Sequence, residues 1–112
     1  MLHEVPMSLF EENATILRNM EAEGSDLGPS RFIDFFHVFP DRASADAFAR
    51  EAEQEGFSTR VEKVEREEDP WDVTATKDMT PTCENITGIE ERLNALAQSH
   101  LGRADGWGFF RV

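Results

Sequence analysis

Phe32-Ile33-Asp34-Phe35-Phe36-His37-Val38-Phe39, closed by Pro40 and followed by Asp41, is the stretch that decides the fold. It is apolar at both alternating sets of positions except at Asp34 and His37. Such a run predicts a central strand covered on both faces. On its C-terminal side a helix is expected, with Asp41 as N-cap and Ala45, Phe48, Ala49 and Ala52 at i, i+3, i+4 and i+7. Gly56 supplies a left-handed C-cap and Phe57 the hydrophobic contact just after it. Phe57, Thr59 and Val61 then alternate as a strand, and Val64 shifts phase in the manner of a bulge.

The acidic turn Glu67-Glu68-Asp69-Pro70 leads into a half-buried strand. There Trp71, Val73, Ala75 and Met79 alternate with Asp72, Thr74, Thr76 and Asp78. Pro81 and Thr82 open a long helix with the stripe Ile86, Ile89, Leu93, Leu96, Ala97 and Leu101, ended by Gly102. Before the central strand, Ser8 and Glu11 form a capping box. Leu9, Phe10, Ile16, Leu17 and Met20 follow at helical spacing until Gly24 stops the helix. The turn Gly24-Ser25-Asp26-Leu27-Gly28-Pro29 comes next.

The chain closes on Asp105-Gly106-Trp107-Gly108. Glycines inside a strand mark a bulge or a close backbone approach, so this is read as a bulged edge strand with Trp107 plugging the core. The competing reading makes Trp107 an exposed anchor for a partner, helped by Asp105. The element order is a helix followed by β-α-β-β-α-β. This predicts an α+β, ferredoxin-like βαββαβ sandwich, a four-stranded antiparallel sheet with two helices on one face. One domain spans 1–112, with the extra helix at 8–24 and the core at 31–112. The second sheet face needs a cover, and the N-terminal helix is preferred to a second subunit.

Composition bounds the class. With 39% apolar residues, nine phenylalanines and two tryptophans, 112 residues suffice for one core without staples. The single cysteine, Cys83, excludes an internal disulfide and fits a reducing compartment. No signal segment or long apolar run is visible, so a cytoplasmic protein without membrane attachment is expected. The triplets Asn13-Ala14-Thr15 and Asn85-Ile86-Thr87 are then chance matches to the glycosylation pattern. With 23 acidic and 11 basic residues the net charge is -12. That surface repels phosphate backbones, disfavours direct nucleic-acid binding and attracts basic partners.

Catalytic chemistry finds little support. His3, His37 and His100 fall in different elements without ligand spacing, and one cysteine cannot complete a zinc set. No metal or other cofactor is expected. His37 reads as a hydrogen-bonded core residue and His100 as a complement to a helix dipole. Asp34, among bulky apolar side chains, needs a partner if buried, with Arg31 and Arg60 as candidates. Cys83 at a helix start has no histidine or second cysteine nearby. The Gly24 to Gly28 turn lacks the lysine of a phosphate loop.

Taken together these pieces resemble the regulator of ribonuclease E activity B family of small acidic bacterial proteins. The resemblance covers nearly the whole chain. It is carried by Glu23-Gly24-Ser25-Asp26, Ile33-Asp34, Glu55-Gly56-Phe57, Met79-Thr80-Pro81 and Asp105-Gly106-Trp107-Gly108. It implies a ferredoxin-like fold and no catalysis. It also implies a protein inhibitor that docks on the arginine-rich, non-catalytic scaffold of ribonuclease E and alters RNA decay. Two departures stand out: the chain stops at Val112 without an acidic tail, and Phe109-Phe110 stands where other members often carry a small or polar residue.

Three readings of function follow. The first is a regulator whose acidic surface captures a basic segment of ribonuclease E or a similar enzyme, as a monomer or weak dimer. Glu67, Glu68, Asp69, Asp72, Asp105 and Trp107 are its candidate contacts. The second is a small-molecule or enzymatic domain with a pocket around Asp34, His37 and Trp107, which requires those groups to converge. The third is an immunity-type inhibitor of another basic protein, and it uses the same physics as the first.

Overall fold

Capping side chains set the helix starts where the sequence places them. The computed structural model describes residues 8–109; His3, Phe110 and the chain ends of the single-domain assignment lie outside the described residues. Helix α1 (Leu9–Ala22) starts at Ser8, whose hydroxyl accepts from the Glu11 amide. Strand β1 (Arg31–Phe39) leads to α2 (Arg42–Gln54), where the Asp41 carboxylate accepts from the Ser44 amide at 2.8 Å. Strands β2 (Ser58–Lys63) and β3 (Trp71–Met79) precede α3 (Cys83–Gln98), capped by Thr82, and β4 (Arg103–Gly108) ends the series. Each cap satisfies an amide that has no partner within its helix.

Gly24 and Gly56 follow α1 and α2 with φ of 101° and 95°, the left-handed values that favour glycine. Helix α3 stops at Gln98, short of Leu101, the last residue of the expected stripe. The left-handed residue is Leu101, at φ 66°. Gly102 is needed for another reason: a Cβ there would lie 2.2 Å from the ring of buried Phe39.

The four strands form one antiparallel sheet in the order β2-β3-β1-β4. Helix α2 carries the chain from β1 to β2, with β3 between them, and α3 carries it from β3 to β4, with β1 between them. Ile33, Phe35 and Phe39 of β1 meet Phe48 and Ala52 of α2 and Ile86 and Leu93 of α3 in one core. Phe35, Phe39 and Phe48 are at most 1% exposed. Burying a phenylalanine contributes about 1.5–3 kcal/mol, so these three rings are the heaviest apolar stake in the fold.

Two expectations about coverage need correction. Helix α1 does not cover the second sheet face; it packs on α3 and sends Leu17 into the same core. Its side is chosen by a polar contact: Asn13, 2% exposed, is bonded to α3 and β4. Consequently Phe32 is 69% and Phe36 36% exposed on a face that reads as apolar in sequence. Within α1, Phe10 and Ile16 are exposed although they belong to the expected stripe. The bulge expected near Val64 is absent, since β2 ends at Lys63 and the Val64 amide turns to the Pro70 carbonyl at 2.8 Å.

Strand β4 does carry a bulge. Phe35 pairs with Trp107 and His37 with Ala104, so Asp105 and Gly106 together oppose Phe36. Gly106 has φ 106°, which a side chain would strain.

Candidate functional site

The acidic turn is built around a single arginine. The guanidinium of Arg66 donates to the Glu68 and Asp69 carbonyls and meets the Asp72 carboxylate at 2.8 Å. Asp69, held at φ 49°, receives Arg103 of β4 at 3.3 Å. Register puts Val38, Asp72 and Arg103 on the same, helix-free face of the sheet. The cluster closes over Val38, which is 3% exposed. Asp69 and Asp72 are thus already matched with cations inside the molecule, whereas Glu67 and Glu68 stand exposed at the tip of the turn.

Asp105 is exposed in the β4 bulge. Trp107 lies in the other layer, half-buried, with its indole N–H donating to the side-chain oxygen Oδ1 of Asn13 at 2.9 Å. The structure therefore brings Asp69 and Asp72 together, keeps Glu67 and Glu68 next to them, and separates Trp107 from all four. The plug reading of Trp107 accounts for its surroundings. Its ring packs against the core and stands 6.0 Å from that of Phe109.

Sequence reasoning missed the network that receives this indole. The Asn13 amide donates to Thr87 Oγ1 at 3.0 Å and to Glu90 Oε1 at 2.7 Å. One buried side chain so ties α1 to α3 and, through Trp107, to β4. Burial pushes the Glu90 carboxyl above the usual carboxylate range, against the hydrogen bond from Asn13. The signal was present: Asn13 lies four residues from both Leu9 and Leu17, where an apolar residue would continue the stripe.

The pocket expected around Asp34, His37 and Trp107 is not formed. Asp34 projects on the helix-free face, where Thr76 donates to its carboxylate at 2.6 Å. Register sets Asp34 opposite Thr76, and of the two expected arginines Arg60 meets Glu62. His37 faces the core, 2% exposed, with its ring 4.7 Å from that of Phe48. Its Nδ1 is buried without a partner, while the backbone of Val73 and Phe35 borders the ring and partly offsets the effect of burial. Burial lowers its pKa from 6.5 to about 4.

His100 lies just past the α3 C-cap and meets Glu51 of α2 at 3.0 Å. The Cys83 thiol donates to the Phe10 carbonyl at 3.1 Å. Among the described residues no group of three or more His, Cys, Asp or Glu is placed to hold a metal ion, and no helix is long and apolar enough to cross a membrane.

The molecule is thus an α+β sheet domain with one helix-free face, a -12 charge and an acidic turn organised by an arginine. The sequence profile of the regulator of ribonuclease activity B family matches residues 10–109. The chain belongs to that family, whose name describes regulation of a ribonuclease. No curated protein matches the chain.

Proposed function

We propose that this protein is a non-catalytic regulator that binds ribonuclease E, or a similar RNA-degrading endonuclease, and slows its action. The match of the family profile across residues 10–109 carries the reading. The -12 charge supports it, because a basic protein segment is the partner such a surface attracts fastest and most selectively. The crossover pattern of α2 and α3 over β2-β3-β1-β4 supports a ferredoxin-like arrangement. Glu67, Glu68 and Asp105 serve as exposed electrostatic contacts. Asp69 and Asp72 act with them by exchanging Arg66 and Arg103 for cations of the partner. Trp107 takes part through the portion of its indole left uncovered. The protein works in the cytoplasm, as a monomer or weak dimer.

The test is calorimetric titration of the purified protein into ribonuclease E of its own source organism, at low and high salt, paired with an RNA-cleavage assay. Binding that weakens steeply with salt and slows cleavage is the expected result. An absence of binding at low salt, or tight binding without any change in cleavage, would overturn the reading.

A further inference from the structure

The helix-free sheet face contains a slot with a definite chemistry. Along β1, Asp34 sits between Phe32 and Phe36, all on that face, and Gly108 of β4 is its register partner. Because Gly108 has no side chain, a recess opens there, lined by Asp34, Phe36, Gly108 and Phe109. A Cβ added at Gly108 would have the Phe36 ring edge as its nearest neighbour, at 4.0 Å. Glycine is therefore not demanded by packing or by a left-handed backbone at this position; what it provides is space.

A carboxylate flanked by exposed aromatic rings in a shallow recess suits a planar cation. One oxygen of Asp34 accepts from Thr76, which fixes the carboxylate while leaving the other oxygen as an acceptor. Guanidinium can lie on an aromatic ring and donate to a carboxylate at once, whereas an ammonium is a compact, strongly hydrated charge. The chain uses a guanidinium-on-ring contact of its own in the helix-bearing layer, where Arg31 lies 4.7 Å from the centroid of Phe109, which leaves Phe32 and Phe36 as the rings open to a partner. The -12 charge draws a cationic segment toward the molecule.

We propose that this slot seats an arginine side chain from a basic segment of the partner protein, which makes the bare sheet face the docking face. The proposal rests on the ribonuclease-regulator reading for the partner's identity, and on the slot alone for the chemistry.

Two probes separate these. Ribonuclease E of the source organism and a short arginine-glycine peptide, with its lysine-glycine counterpart, are titrated against the wild type, Gly108→Val and Asp34→Asn. Backbone amide shifts are followed by NMR. Valine is favourable in a strand and here fills only the recess, so its melting temperature should match the wild type and serve as the folding control. The expected result is preference for the arginine peptide, shifts centred on residues 34, 36 and 108, and roughly tenfold weaker binding of both probes by either variant.

Equal binding of arginine and lysine peptides, with Gly108→Val unaffected, would overturn the slot. Ribonuclease bound equally by wild type and Gly108→Val would also overturn it, with the regulator reading intact. Slot-dependent arginine binding without ribonuclease binding would support the slot and reject the ribonuclease. Self-association through this face, seen by sedimentation equilibrium and abolished by Gly108→Val, would replace the proposal with a second copy as occupant.

Discussion

Replacing Gly102 by alanine should destabilise the protein more than its position just past a helix suggests. The added Cβ would meet three atoms of the Phe39 ring at 2.2, 2.4 and 2.8 Å, where carbon atoms normally rest about 3.5–4 Å apart. The ring cannot retreat. Phe39 is fully buried, its neighbour Phe48 stands 5.0 Å away between centroids, and Phe48 in turn abuts His37. The alternative is for the chain at 101–102 to move outward, which strains the bond from the Gly102 amide to the Ala97 carbonyl at 2.8 Å. Overpacking of this kind together with a weakened hydrogen bond costs about 3 kcal/mol, or roughly 10–20 °C in melting temperature for a domain of this size.

Thermal melts of Gly102→Ala, Phe39→Leu and the double variant isolate the clash. In the Phe39→Leu background the alanine should cost about 1 kcal/mol or less, because leucine lacks the ring atoms that collide. Leu101→Gly is the companion test. It frees the one left-handed residue after α3, and a gain of about 1 kcal/mol is expected. A Gly102→Ala protein that melts with the wild type, or an alanine penalty that is the same in both backgrounds, would refute the packing argument.

Acidification should expose His37. Its folded-state pKa of about 4 lies below the ordinary 6.5, so the unfolded chain binds the proton first. Stability from this group is complete above pH 6.5 and is lost as pH falls toward 4, by about 3 kcal/mol; urea melts across that window should show a loss that His37→Leu lacks. Glu90 works in the opposite sense, since its raised pKa gives stability that is present at acid pH and disappears as pH rises through the folded value. Glu90→Gln keeps an acceptor for Asn13, so it should melt higher than wild type at pH 8, and the difference should close on acidification. Trp107→Phe removes the donor to Asn13 and leaves a buried oxygen unpaired, costing about 1–3 kcal/mol by chemical denaturation. Asn13→Leu in the same background should add much less than it does alone.

The parts of the fold legible in sequence were those set by local chemistry. Ser8, Asp41 and Thr82 cap helices because a side-chain oxygen two or three residues ahead of an amide is a local arrangement. Ala45, Phe48, Ala49 and Ala52 are buried as their spacing demands. What sequence could not tell is which surface comes to lie over which. The run from Phe32 to Phe39 announces two apolar faces, but hydrophobicity says only that burial would be favourable, not which element supplies it. A polar contact, Asn13 with Thr87, Glu90 and Trp107, places α1 beside α3 and leaves Phe32 and Phe36 in solvent. The acidic turn shows the same limit. Its four residues are legible as a charged loop, yet the pairing of Asp69 with Arg103 joins positions 34 apart in sequence and depends on strand register.

The bulge in β4 acts on both layers of the molecule. A strand alternates faces, so in a regular, unbulged strand of the same residues Trp107 would share the face of Arg103, out with Asp34 and Phe36. By setting Asp105 and Gly106 against the single residue Phe36, the bulge turns Trp107 inward and puts Gly108 opposite Asp34. The inward tryptophan then holds Asn13 and so fixes α1 in the helical layer. The outward glycine leaves the recess beside Phe36 open. One irregularity thus both secures the extra helix away from the sheet face and keeps the recess on that face open. Its chemical requirement is small: a residue at 106 that tolerates φ 106°, which glycine meets without strain.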